Sequence, residues 1–186
     1  DLRIEHPISK GYYCTLQWHS HSEDTQHNSP VVTADMVAAI KQRMQQIIAE
    51  DRPIYEEEKR TKDVIKMFAS QYNKGTIFET LGNPYCRYFR MGDFIDYYTN
   101  VLLPSSGYIN VFDLELFQDG MLLRIPNREN PTILEDAIQQ DKMFSIFCEY
   151  SRWNKLLHIH NVTDFNIACK RNKSFEMIKL AEALHE

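Results

Sequence analysis

The stretch YINVFDLELF at Tyr108–Phe117, followed by Gln118, Asp119 and Gly120 and then by MLLRI at Met121–Ile125, decides how this chain is to be read. Apolar and polar residues alternate along the first arm at the strand period. The second arm is rich in β-compatible side chains, and two such arms joined by so short a link must fold back antiparallel. Asp119 and Gly120 are the expected turn. An antiparallel hairpin flanked by helical patterns on both sides predicts an α+β protein, not a parallel α/β one.

Immediately upstream, RMGDFIDYYTNVLLPSSGYIN at Arg90–Asn110 gathers unlike signals in a short run. Arg90, Asp93 and Asp96 interleave with Phe94, Ile95, Tyr97 and Tyr98, so a buried strand here would carry polar groups into a site. Gly92 is expected to interrupt YCRYFRMGDFIDYY into two strands, and Pro104 to Gly107 to form a turn. Strand character is expected from Ile77 onward, with a turn at Gly82, Asn83 and Pro84.

Toward the N-terminus, Leu2–His6 and Gly11–Trp18 read as two strands with Ser9, Lys10 and Gly11 at the turn. The polar run HSHSEDTQHNSP reads as a loop. Its His19, His21 and His27 are close enough to raise a metal hypothesis, although a solvated loop is the preferred reading. Thr33 suits an N-cap for a helix over Ala34–Glu50, with Asp35 in the first turn and Val37, Ile40, Met44, Ile47 and Ile48 on one face. Ile54 and Tyr55 begin a short strand, and Glu56 to Arg60 form a charged face. Thr61 is expected to cap a second helix bearing Val64, Ile65, Phe68, Ala69 and Tyr72, with Gly75 as its C-cap.

Downstream, Pro126–Pro131 reads as a loop and Ile133–Leu157 as a helix or broken pair, with Ile138, Met143, Phe144, Phe147, Tyr150 and Trp153 facing a core. His158 and His160 alternate and share a face, a minimum for a ligand pair, but packing or surface roles are preferred. Val162–Phe165 reads as a link. Ser174 is expected to cap a last helix with Ile178, Ala181 and Leu184 aligned.

A formal net charge of −5 gives no global field to draw in nucleic acid or an anionic membrane. Local basic clusters occur at Lys59, Arg60, Lys62 and Lys66, and at Lys170, Arg171 and Lys173, without the interleaved aromatics of a base-stacking platform. No apolar run reaches the roughly 20 residues that span a bilayer, and the start lacks the pattern of a secretory signal, so the expected location is cytoplasmic. Cys14, Cys86, Cys148 and Cys169 have no Cys-x-x-Cys pairing and are expected to be reduced core residues. The chain begins at Asp1 without Met, as a segment of a longer protein would. It carries no P-loop, no G-x-S-x-G, no H-E-x-x-H and no G-x-G-x-x-G. Asp93 and Asp96, three residues apart on a strand, would point to opposite faces and make a poor acid and base pair.

Taken together, LRIEHPISKGYYCTLQ, SPVVTADMVAAIKQRMQQIIAEDRPIYEEEKRTKDVIKMF and MGDFIDYYTNVLLPSSGYI resemble the second additional domain of threonyl-tRNA synthetase, which edits mischarged tRNA. The resemblance covers roughly Leu2–Ile109 and implies a domain over 1–110 with an antiparallel sheet and packed helices. The remainder, 111–186, would then be a hairpin and helical region. Its sequence is similar to the part that precedes the P-loop domain in bacterial proteins of the phosphoribulokinase/uridine kinase family.

This double resemblance implies a non-catalytic N-terminal accessory domain of a uridine (nucleoside) kinase-like protein. The kinase would transfer phosphate from Mg-ATP to a nucleoside and would be the partner domain of the same polypeptide, with neither the kinase nor a cofactor in this segment. The family's editing motif has an early His-x-x-x-His and, after an aromatic, a hydrophobic residue and Asp, a Cys-x-x-x-His. Laid on FIDYYTNVLLP, that second motif puts Tyr98 where Cys stands and Leu102 where His stands, so no catalytic and no metal-binding residue is assigned. The alternative is an RNA- or nucleotide-binding module with a vestigial pocket, in which Asp96, Tyr98 and Asn100 project from one strand face. Self-association is left open.

Overall fold

In the computed structural model, which describes residues 2–16, 31–69, 71, 74–157, 159 and 161–183, the chain is α+β with antiparallel sheets and packed helices. It divides into two compact units, one made of Asp1–Tyr55 and Phe89–Ser145, the other of Glu56–Tyr88 and Ile146–Glu186. Each unit draws on both sides of position 110, so packing and sequence resemblance divide the chain differently.

The first unit is built on a four-stranded antiparallel sheet in the order β1-β2-β7-β6, from β1 (Leu2–Ile8), β2 (Gly11–Leu16), β6 (Asp113–Phe117) and β7 (Gly120–Arg124). Both hairpins expected from alternation are present, and the sheet joins them by pairing β2 with β7. Strand β1 runs on through Pro7 with a register shift between Ile4 and His6; as an edge strand it tolerates the missing N–H. The β6–β7 turn falls one residue earlier than expected. Gln118 takes the left-handed conformation (φ 53°), and Gly120 is already in β7. There it permits a close approach, because a Cβ on Gly120 would run into the Cys14 carbonyl and come within 2.8 Å of the Tyr13 ring.

Helix α1 (Ala34–Ala49) covers one face of this sheet. The Thr33 hydroxyl accepts from the Met36 N–H at 3.3 Å, the expected N-cap bond. Val37 is buried with Cys14, Val32, Leu114 and Met121, and Ile40 and Met44 pack against that cluster. Lys41 forms an ion pair with Asp113 on β6, tying helix to sheet. Tyr13, Phe117 and Phe144 form a second cluster of edge-to-face rings with centroids 5.0–6.2 Å apart, and His6 joins it at 5.4 Å from Tyr13.

A second sheet has the order β3-β4-β5, from β3 (Tyr55–Arg60), β4 (Tyr85–Met91) and β5 (Phe94–Asp96). The β4–β5 pairing, Phe89 with Asp96 through Met91 with Phe94, lies in the first unit. In the second unit, Phe68, Phe78 and Tyr88 are fully buried and pack ring against ring, with Val64 beside them. Helix α2 (Thr61–Met67) is shorter than expected, and Thr61 is its first residue instead of its cap. Thr61 instead bonds the Asn83 carbonyl through its hydroxyl and the Pro84 carbonyl through its N–H at 3.0 Å.

Several expectations are corrected. Gly75 ends no helix but lies in α3 (Lys74–Leu81), and Ile77–Leu81 is helical, not strand. Five apolar-rich residues do not distinguish the two periods, and packing against Phe68 settles the conformation. Helix α4 (Asp141–Leu156) starts eight residues later than Ile133. Its Met143, Tyr150 and Trp153 are exposed, and only Phe144 and Phe147 among its expected core residues are half-buried. Val162–Phe165 is no link but the start of α5 (Val162–Lys170), capped by the Asn161 side chain, which accepts from the Asp164 N–H at 3.0 Å. In α6 (Ser174–Ala183), Ser174 is the first helical residue and Ile178 is exposed. Trp18, Tyr72, Leu184 and the histidines His19, His21, His27, His158 and His160 lie outside the described residues.

Candidate functional site

The stretch Arg90–Asn110 forms no buried strand. Strands β4 and β5 make a tight hairpin whose turn is Gly92–Asp93, with Gly92 left-handed at φ 61° and nothing near the place a Cβ would occupy. Phe94 is 58% exposed, and β5 stops at Asp96. Tyr98 and Asn100 follow in irregular chain, so the strand period that was expected to align them with Asp96 does not extend to them. The Asp96 carboxylate turns back on its own backbone and accepts from the Tyr97 N–H at 2.6 Å. Tyr98 is 52% exposed, Asn100 is exposed, and Leu102 is about one third exposed. Arg90 lays its guanidinium 5.3 Å from the Tyr55 ring centre, a cation–π contact between strands, so this arginine has a structural role.

The far end of the stretch is anchored firmly. The buried Ser106 hydroxyl donates to the Ile47 carbonyl at 2.6 Å and accepts from the Arg52 N–H at 2.8 Å. Asp51 accepts from the Ser105 hydroxyl and from the Gly107 N–H, and the Ile54 N–H bonds the Pro104 carbonyl at 2.8 Å. Ser106–Tyr108 closes as a 3-10 turn. The result is a polar clasp between the end of α1 and the residues before β6.

In the second unit, the charged strand β3 is knitted to β4. Arg87 pairs with Glu56 at 3.0 Å, and the buried Tyr88 hydroxyl donates to Glu57. Burial first, and the Glu57 bond second, push the Tyr88 phenol above its ordinary pKa. These groups satisfy one another, as a solvated face does, and make no convergent acid and base.

The thiols of Cys14, Cys86, Cys148 and Cys169 are free, the first two buried. Burial raises the pKa of Cys14, which makes it a poor nucleophile. Among the described residues no group of three or more His, Cys, Asp or Glu side chains is placed to hold a metal ion, and no helix is long and apolar enough to cross a membrane. Residues that the sequence did not mark as a site line an open cleft elsewhere in the first unit, among them Lys10, Arg128 and Glu135.

No protein-family profile matches this chain. Over 92 residues, 49% of its length, it is 32% identical to the threonine–tRNA ligase of Enterococcus faecalis (strain ATCC 700802 / V583). The chain spans only 14% of that enzyme's length. It therefore carries a threonyl-tRNA synthetase-like region.

Proposed function

We propose that this chain is a non-catalytic accessory module built on the editing-domain design of threonyl-tRNA synthetase and carried by a bacterial uridine (nucleoside) kinase-like protein of the cytoplasm. The observation that carries the first half is the similarity to threonine–tRNA ligase taken with Tyr98 and Leu102, which stand where the editing motif has Cys and His. A phenol and an isobutyl group supply neither the thiolate and imidazole of a metal site nor a nucleophile and its base. The kinase half rests on the sequence resemblance of 111–186 alone; Mg-ATP would serve that kinase domain and not this segment. The test is direct. Incubated with mischarged threonine tRNA, or with ATP and uridine, the chain should release no amino acid and form no nucleotide, and turnover in either assay would sink the reading.

A second reading, an RNA- or nucleotide-binding module, is favoured by the exposure of Tyr98 and Asn100 in the chain that follows Asp96. Titration with tRNA and with nucleosides tests it. The double variant Asp96→Ala, Tyr98→Phe should weaken binding about 10-fold if those groups hydrogen-bond the ligand. Equal affinity in variant and parent counts against it.

A further inference from the structure

Ser9 and Lys10 form the two-residue turn between β1 and β2, and both are left-handed, with φ of 52° and 59°. Asn-Gly makes such a turn with least strain, because most side chains disfavour positive φ. Here the positions hold serine and lysine, and both residues line an open cleft of about 660 Å³ within the first unit. The turn thus gives up local stability to put a lysine at the cleft and a serine beneath solvent's reach.

The opposite side of the cleft comes from the chain after β7. Glu135 lies 2.6 Å from the Lys10 ammonium and accepts from the Asn127 amide at 3.0 Å, so both its oxygens are engaged. Lys10 has two further N–H donors to offer. Arg128 is exposed at the rim and has no ion-pair partner among the described residues. Ser9 is 2% exposed; its backbone N–H donates to Gln140 at 2.8 Å, while its hydroxyl has no partner. Ile125 and Met143, each nearly half exposed, supply an apolar wall.

Lys10, held by Glu135, and Arg128, without an ion-pair partner among the described residues, share the cleft with exposed apolar surface and with the buried Ser9. We infer that this cleft binds a small organic oxyanion, a carboxylate or phosphate on an apolar body. Arg128 and Lys10 hold the anionic group, and Ile125 and Met143 cover the body. An inorganic ion would leave the wall unused, and a neutral molecule would leave Arg128 unpaired.

Calorimetric titration of the full chain with phenyl phosphate, benzoate, inorganic phosphate and benzyl alcohol tests this. At least one aromatic anion should bind saturably, the stronger of the two naming the preferred oxyanion. Inorganic phosphate and benzyl alcohol should bind at least about 10-fold more weakly. Arg128→Gln should weaken the aromatic anion about 10-fold or more, Lys10→Gln should also weaken it, and Ile125→Asp, which sets a carboxylate on the wall, should abolish it. Phe94→Ala, on the exposed β4–β5 hairpin, should leave it unchanged, which separates this site from that hairpin. Absence of saturable binding by both aromatic anions, or equal binding by parent and Arg128→Gln, overturns the inference.

Discussion

Two hairpins of the first unit, β1–β2 and β4–β5, look alike on paper and differ in almost every physical respect. The β4–β5 hairpin has the denser mixture of charged and aromatic residues, turns through a glycine in open space, and ends after three paired residues with Phe94 facing water. The β1–β2 hairpin has a plain alternation, turns through serine and lysine under positive φ, and continues into a four-stranded sheet over a buried core. A mixture of polar and aromatic side chains makes a site only when the fold brings the polar groups to a common, partly enclosed place. The plainer hairpin achieves this, because the cleft takes its other wall from residues far along the chain.

The contrast can be broken at several points. Met121, fully buried on β7 and paired with Cys14 of the first hairpin, should cost about 2–5 kcal/mol when cut to alanine. A denaturation midpoint close to that of the parent would mean the core is not where the sheet places it. Gly120→Ala should destabilise by about 1–3 kcal/mol, because the new methyl meets the Cys14 carbonyl and Tyr13 ring. Gly92→Ala should cost only about 1 kcal/mol, the penalty of positive φ in open space. If thermal melts reverse that order, the two hairpins have been assigned the wrong roles.

A pH experiment separates them further. Burial against Tyr13 and Phe144 lowers the pKa of His6, with Glu5 opposing in part. The folded chain therefore takes up this proton less readily than the unfolded chain. The contribution of His6 is complete above the ordinary imidazole value near 6.5 and is lost as pH falls from there through the lowered folded value. The parent's denaturation midpoint should drop more between pH 7 and pH 5 than that of His6→Gln; parallel profiles would remove His6 from the account. The smallest effect belongs to the second hairpin, where Phe94→Ala should shift stability by no more than about 0.5 kcal/mol.

What the sequence revealed was local. Hairpins and capped helices announce themselves within a few residues, so β1–β2, β6–β7 and α1 with Thr33 were legible. Ile77–Leu81 was not, since a short apolar run fits either period until Phe68 packs against Phe78. The irregular course before α4 was hidden too. It is fixed by Glu135 against Lys10 and by Gln140 against the Ser9 N–H, bonds between residues that no local pattern connects. The same holds for the sites. Asp96, Tyr98 and Asn100 attracted notice through a strand period that ends at Asp96, whereas Arg128 and Glu135 carry no signal in isolation. One clue to the cleft was nevertheless present: a two-residue hairpin turn written Ser-Lys, where Asn or Gly would serve the backbone better.

The clasp around Ser106 bears on how such a chain could change over time. Asp96 is paired with Phe89 of β4 on one side, and Pro104, Ser105, Ser106 and Gly107 are held by Ile54, Asp51, Arg52 and Ile47 on the other. The residues between them, with Val101 at 83% exposure, contribute little to either anchorage. A segment fastened at both ends and exposed in the middle behaves as an interchangeable cassette: its composition can drift, or be grafted anew, while the scaffold on either side keeps its shape.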